Sequence, residues 1–582
     1  MSPHLRRYIR RFLTHRGRLL LGVAAIPVAA FLDIRLSLLV GDTLTRLRQG
    51  EDGTFLRGVF LLMLLIAGVQ GVFRFLQRWW IVGVSRRFEV ELKQDLFDKL
   101  TRLPLSFHAR SRSGDVVTRL TSDVENVRML LGPGSMYVLS ACFLVPGALF
   151  VLFRISPAVT VAMALPLISV AFVMRALTPR LHRASTAVQE SLADVGHRAQ
   201  ESFAGIRVVK GYGLADHECA DFEAISRANR GHQIQMARVR GLMHAAINLA
   251  FEMAFLPILF VGGWAMIDRS IAVGDLFKFI DLGFKVFWPV IALGWIAGLY
   301  PRAAVSAERM NELLDADLEI HDPAEPVPLS PVSGELRLRG VGFTYDDAPR
   351  PALEDVNVTI PAGTTLGVVG PTGAGKSTLL NLLGRLSDAR GDLRLDGVSL
   401  RELSLSTVRG SMAYVPQDSF LFSDTYRANL EFGADGPLDD ERICELIELA
   451  GMTDEVARFP DGLEQIIGER GVTLSGGQRQ RTCIARALAK DPRILILDDA
   501  LSAVDTETEA KLLSALRRAG TGRTVVLAAH RLQTVRDAEQ IVVLREGRVE
   551  AQGTHDELLE RSPWYRETWD RQRMLQELEE LA

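Results

Sequence analysis

Two short stretches in the second half of the chain carry residue types that handle phosphate. The first is Gly370-Pro371-Thr372-Gly373-Ala374-Gly375-Lys376-Ser377-Thr378. It follows the apolar run Leu366-Gly367-Val368-Val369 and precedes Leu379-Leu380-Asn381-Leu382-Leu383, so strand, glycine-rich loop and helix are predicted in that order. Glycines 370, 373 and 375 let backbone N–H groups converge on phosphate oxygens. The helix start behind them adds its positive end. Ala374 and Thr378 complete this cradle, Lys376 offers a mobile cation to the β- and γ-phosphates, and the Ser377 hydroxyl suits Mg²⁺. The second stretch, Ile494-Leu495-Ile496-Leu497-Asp498, reads as a buried strand ending in a carboxylate. Apolar strands ending in Asp are common. Downstream of a phosphate-binding loop, however, Asp498 is expected to hold Mg²⁺ directly or through water. ATP with Mg²⁺ is therefore the expected ligand pair.

These groups need a scaffold, and 582 residues imply two or three domains. Hydrophobic residues make up 48% and charged residues 24%, but unevenly: long uncharged runs fill the first half and charged, glycine-punctuated segments the second. A net charge of -3 gives no field for nucleic acid, and no nucleic-acid partner is expected. Cys142, Cys219, Cys444 and Cys483 have no metal-like spacing and read as unpaired thiols.

Residues 129–153 and 155–174 contain no charge and are long enough to cross a bilayer, with Arg154, Ser156 and Pro157 marking a turn between them. Four further candidates cover about 19–44, 57–84, 242–267 and 272–300. The expectation is a six-span helical domain over 19–315. Segments 86–128 and 175–240 hold nine and ten Lys and Arg residues, whereas the other connections are short and hold few. Both long segments and the N-terminus are therefore expected in the cytoplasm. Their pattern predicts spans that continue as long helices, turning near Ser106–Gly114 and again between Gly205 and Asp216. Residues 1–18, basic and amphipathic, are expected to form a helix on the membrane surface. Glu252, Asp281 and Lys285 interrupt spans five and six; the last two, at i,i+4 spacing, form a structural pair or line a path for polar cargo. The prolines at 323, 326, 328 and 331 place a linker at 316–334. Alternating strands and helices over 335–582 predict an α/β domain.

Leu474-Ser475-Gly476-Gly477-Gln478 matches, residue for residue, the signature of the ABC transporter family, and the resemblance extends along nearly the whole chain. It implies that two ATPase domains pair head to tail, with Ser475 and Gly477 of one reaching the γ-phosphate held by the other. It further implies that Tyr345 stacks on adenine, Gln417 reaches Mg²⁺, Asp505 lies in the loop meeting the opposite site, and His530 contacts the γ-phosphate. Six spans fused to one ATPase domain, and the segment Gly468-Glu469-Arg470-Gly471, resemble exporters that move drugs, lipids or peptides. The stretch 497–505 most resembles half-transporters of bacterial heterodimers. One position departs from the family: the general base is a Glu directly after the Walker B Asp, the position of Asp498, and here that next residue is Asp499. The departure fits one half of an asymmetric heterodimer, a homodimer in which Asp499 still serves as base, or an ATP-gated regulator on the same scaffold. The expected location is the plasma membrane, or the inner membrane of a Gram-negative cell.

Overall fold

A computed structural model describes residues 3–50, 53–346, 348–468, 474–519 and 522–581. The expected segment 468–471 thus lies outside the described residues beyond Gly468. The chain divides into two compact units, Met1–Thr101 with Arg112–Ala316, and Arg102–Ser111 with Asp317–Ala582.

The first unit is helical. Its long helices are Arg16–Arg48, Gly53–Arg102, Pro157–Ala204, Ala215–Ile267 and Val273–Asp315, with a nearly continuous run over Ser113–Ile155. A helix of 50 residues is roughly 75 Å long, against about 30 Å of bilayer hydrocarbon; Gly53–Arg102 therefore extends well beyond a membrane. Among the described residues four helices, Leu5–Arg48, Phe55–Arg102, Ser113–Ile155 and Val273–Asp315, are long and apolar enough to cross one, and Phe255–Ile267 is a shorter apolar stretch. Ser156, in extended conformation, breaks the chain before Pro157, which opens the next helix at a position where its missing N–H costs nothing. The run over Ser113–Ile155 loosens into π turns at Arg119–Asp123 and Leu130–Gly134; the second contains Pro133, which cannot donate to the helical ladder. Ile34, Leu152, Met163, Phe279 and Leu282 form a buried core shared by several helices.

The N-terminal helix is shorter than the expected 1–18, spanning Leu5–Phe12 before a single tight turn. Its apolar face, expected on lipid, is covered by protein instead: Leu5, Tyr8 and Phe12 are buried, Phe12 meets Phe88 edge-on, and Arg11 pairs with Asp95. The covering helices supply both an apolar surface and the acids that suit its arginines.

In the second unit the strands are β1 (Leu336–Phe343), β2 (Leu353–Ile360), β3 (Thr365–Val369), β4 (Arg390–Leu395), β5 (Val398–Ser399), β6 (Met412–Val415), β7 (Ile494–Asp498), β8 (Thr524–Ala528), β9 (Gln540–Arg545) and β10 (Arg548–Gly553). They form a six-stranded sheet ordered β10-β9-β3-β8-β7-β6, parallel except at β9–β10, and a four-stranded antiparallel sheet ordered β2-β1-β4-β5. β7 is buried along its whole length, as expected of a central parallel strand with both faces covered. The proline-rich segment after Ala316 is bound to this unit: the Val327 N–H donates to the Glu402 carbonyl at 2.8 Å, and the Asp396 carboxylate accepts from the N–H groups of Gly334 and Glu335.

Candidate nucleotide site

The register of the parallel sheet brings the chemistry together. Asp498 ends β7 opposite Ala528 of β8, and Ala528 also faces Val368 of β3. The phosphate loop, the carboxylate and His530 therefore leave the sheet at one edge, beyond the carboxyl ends of its strands, where open α/β sheets bind ligands.

The loop from Gly370 leads into helix Lys376–Leu383. Gly375 sits at φ 100°, and a Cβ there would lie 2.6 Å from the Ala352 carbonyl oxygen, so both conformation and space require glycine. The Lys376 ammonium is buried and donates to the carbonyls of Gly370 and Pro371, at 2.9 and 3.2 Å. Burial pulls its pKa down, while the carboxylates of Asp499 and Asp498 oppose that pull. The Ser377 hydroxyl donates to Asp498 Oδ1 at 3.0 Å. The other oxygen, Oδ2, lies 3.2 Å from the Tyr414 hydroxyl, which is also 2.9 Å from Asn381 Oδ1. Desolvation raises the Asp498 pKa, and the Ser377 and Tyr414 hydrogen bonds work against it. A hydroxyl and a carboxylate side by side are hard oxygen donors of the kind Mg²⁺ selects, so these residues fit that ion.

Asp499 is half-buried and lies at φ 48°, a left-handed conformation that Asp tolerates better than most side chains. Its N–H donates to the Ala528 carbonyl at 3.0 Å, which pins it to β8. Tyr345 is partly exposed, packs edge-on against Phe343, and its hydroxyl is 3.1 Å from that of Thr378. Gln417, just past β6, is exposed, and so is the side chain of His530. The His530 carbonyl accepts from Gln572 Nε2 at 2.9 Å, and Gln572 Oε1 accepts from the Leu532 N–H at the same distance. The C-terminal helix Pro563–Leu581 thus clasps the histidine's loop from both sides.

The signature residues are joined to a different neighbour. Ser475 caps helix Gly476–Ala489, accepting from the Gln478 N–H while its own N–H donates to Gln478 Oε1. Leu474 is buried beneath this exposed cap, which leaves the helix start free to face an anion. A Cβ on Gly477 would stand 2.8 Å from the Ala503 carbonyl, and Gln480 bonds both the Ser502 hydroxyl and the Ala503 N–H. The signature helix and the 502–505 loop are therefore tied to each other. Asp505 caps the next helix by accepting from the Thr508 N–H.

Sequence reasoning missed Tyr414, Asn381 and Gln572. Nothing in their spacing marks them; they are found only when β6, the loop helix and the C-terminal helix are assembled around Asp498 and His530.

Two family models match: the ABC transporter transmembrane region over residues 19–290, and the ABC transporter ATPase model over 353–502. The multidrug resistance-like ATP-binding protein MdlA of Escherichia coli is 35% identical over 99% of this chain and 96% of its own length. The ATP-dependent lipid A-core flippase of Methylococcus capsulatus is 32% identical over 88% of this chain and 84% of its own. A bacterial Atm1-family ABC exporter with ATP bound has a similar structure, with a TM-score of 0.76 at 27% identity, covering 96% of this chain and 98% of that one. The chain belongs to the ABC transporter family, as an exporter-type half with its transmembrane and ATPase domains fused, and hydrolyses ATP to drive transport.

Proposed function

We propose that this chain is one half of a six-span, heterodimeric exporter and carries the slower of its two ATP sites. In this reading the N-terminus and the ATPase domain are cytoplasmic. ATP would rest on the loop from Gly370 to Thr378 with its adenine on Tyr345, and Ser377, Asp498 and Gln417 would hold Mg²⁺, which would supply positive charge against the phosphates. Ser475 and Gly477 serve the partner's nucleotide, and Asp505 meets the opposite site. His530 faces the γ-phosphate, and Asp499 is the group that would take a proton from water.

Asp499 carries the reading. It stands one methylene short of Glu, which withdraws the carboxylate by about 1.5 Å, and a misplacement of about 1 Å costs on the order of 10²-fold in rate. The intact cap at Ser475 supports the complementary half, a fast site built on a partner's glutamate. Purifying the complex and identifying what accompanies the chain tests this. A second half-transporter with Glu after its Walker B Asp is expected, and removing that Glu should nearly abolish ATPase activity, whereas Asp499→Asn changes it slightly. A homodimer with brisk activity that Asp499→Asn eliminates refutes the asymmetric reading. An ATP-gated regulator, the other reading Asp499 allows, would move the spans without substrate uptake into vesicles.

Two turns are proposed to couple the ATPase domain to the spans. Residues 102–111 cluster with the ATPase unit, where Arg110 pairs with Asp346 at 2.7 Å and the Ser106 hydroxyl donates to Glu319. The other turn presents Tyr212, 79% exposed, beside exposed Val208 and Leu214, an apolar surface suited to docking. Phe107→Ala and Tyr212→Ala should each lower transport per ATP hydrolysed; unchanged ratios for both would remove these turns from the coupling path.

A further inference from the structure

An open cavity of about 890 Å³, within the size range of ligand sites, lies among the helices of the first unit. Its wall combines two kinds of side chain. Arg74, Arg78, Arg86, Arg128 and Lys285 line it, and the only carboxylate among its lining residues is Asp33. Tyr137, Trp288 and Trp295 line it as well, with Tyr137 edge-on to Trp295 and Trp288 73% exposed.

The arginines follow the helix geometry. Positions 74, 78, 82 and 86 recur every four residues on helix Gly53–Arg102, so Arg74, Arg78 and Arg86 share one face with Val82. Like charges at this spacing destabilise a helix, and cations near apolar spans are costly unless a partner or ligand answers them. Most are answered. Asp33 pairs with Arg74 and, at 3.1 Å, with Lys285, which also meets Asp281 at 2.9 Å. Glu89 and Glu125 serve Arg86 and Arg128. Arg78 forms no ion pair among the described residues and projects between these neutralised neighbours.

A second groove of about 490 Å³ shares Arg78, Val82 and Arg86 with the cavity. Arg18 and Arg87 also line it, no acid does, and Phe75 stacks with the exposed Trp79 on its rim. A cationic track with aromatic edges thus continues from the cavity to a surface rich in exposed apolar side chains.

We propose that the cavity binds an amphipath with an anionic head, phosphate or carboxylate, held at Arg78, and an apolar tail against Trp288 and Trp295. This deepens the exporter reading by naming a cargo class and rests on it only for the step of transport. Bilayer lipids and soluble amphipaths share this chemistry; a free inorganic anion lacks the tail.

The test is equilibrium binding to the nucleotide-free full-length protein in discs of zwitterionic lipid, with empty discs subtracted. The probes are a fluorescent eight-carbon alkyl phosphate, the same tail with a trimethylammonium head, and inorganic phosphate as competitor. The alkyl phosphate should bind saturably and the cationic analogue at least about tenfold more weakly, since a charge-assisted hydrogen bond contributes enough for that ratio. Arg78→Gln should weaken alkyl phosphate about tenfold, Arg78→Lys far less, and Trp288→Ala should weaken the tail contribution in both head groups. Equal binding of the two head groups, an unaltered affinity in Arg78→Gln, or displacement by inorganic phosphate at matching concentration overturns the proposal. Because no ATP is present, a failure of ATP-driven transport would count against the exporter reading alone. Accumulation of a phospholipid rather than a soluble probe in vesicle assays would identify the bilayer as the source.

Discussion

Buried charges at the phosphate loop and among the long helices are neutralised in different ways. In the ATPase unit Lys376 is held by two backbone carbonyls and Asp498 by two hydroxyls. In the helical unit Asp33 lies between Arg74 and Lys285, and Lys278 between Asp42 and Asp275. Dipoles lower the cost of burying a charge without cancelling it, so Lys376 and Asp498 keep a field that an incoming nucleotide and cation can answer. Opposite charges cancel, and such pairs hold helices in register instead. The kind of partner thus separates ligand-binding charge from structural charge, and each unit offers a way to break that distinction.

The largest expected effect is at Asp498. Asp498→Asn should lower ATP hydrolysis by at least about 10²-fold by removing the carboxylate proposed to hold Mg²⁺. It should also raise the melting temperature of the nucleotide-free protein at neutral pH. Burial lifts this carboxyl's pKa above the unfolded value. The protonated form is therefore favoured in the fold: the associated stability is present below the unfolded value of about 3.9 and is lost as pH rises through the lifted one. Asn has no such titration, so the variant's stability should show a flatter limb over that window. Thermal unfolding across pH checks the sign; destabilisation at neutral pH would place Asp498 among the structural charges.

Asp33 should behave in the opposite manner. Asp33→Ala takes from Arg74 and Lys285 the acid they share, leaving Lys285 with Asp281; because Arg74 is more than half exposed, the cost is expected at about 1 kcal/mol. The melting temperature should fall clearly, while Asp33→Asn with Lys285→Met should fall less than the sum of the single changes. Stability in detergent measures both. A neutral Asp33→Ala would mean that this carboxylate is held for cargo and not for the helices.

The same distinction explains what the sequence made legible. Gly375 and Lys376 can be read because a loop around phosphate demands left-handed backbone and a cation at fixed spacing, and Ser475 because a capped helix start is a local pattern. The parallel sheet follows from short apolar runs such as 494–497 between helices. Arg74 and Arg78 share a helix face in sequence, but the acid that answers Arg74 is 41 residues away, and no local rule pairs them. The N-terminal helix shows the same limit: its amphipathic face was plain, yet whether lipid or protein covers it depends on where the long helices end. Tyr414 and Gln572 were invisible because their partners belong to other elements.

A smaller effect tests the Asp499 assignment. Asp499→Glu restores the missing methylene and should raise turnover at this chain's own site, by up to about tenfold, within the range that a misplacement near 1 Å allows. The left-handed backbone at 499 tempers the gain, because Glu tolerates that conformation less well than Asp. Single-turnover hydrolysis in a complex whose partner site has been inactivated isolates the step. A rate that stays flat would show that side-chain length does not set the pace there.

The smallest change concerns Tyr414. Its hydroxyl lies within hydrogen-bond reach of both Asp498 Oδ2 and Asn381 Oδ1, so its single proton can go to only one of them at a time. Removing the hydroxyl should free Asp498 Oδ2 and lift the carboxyl's pKa further, since a hydrogen bond favouring its ionised form is lost. Tyr414→Phe keeps the ring, and loss of one such bond costs about 1 kcal/mol. The expected result is therefore about a fivefold weaker response to Mg²⁺, with ATP binding in the absence of metal little altered. The apparent Mg²⁺ affinity should weaken most at the acidic end of the profile, where protons compete with the ion for the lifted carboxyl. If Tyr414→Phe instead weakens metal-free ATP binding equally, the tyrosine acts through Asn381 and the loop helix, and dipolar support of Asp498 comes from Ser377 alone.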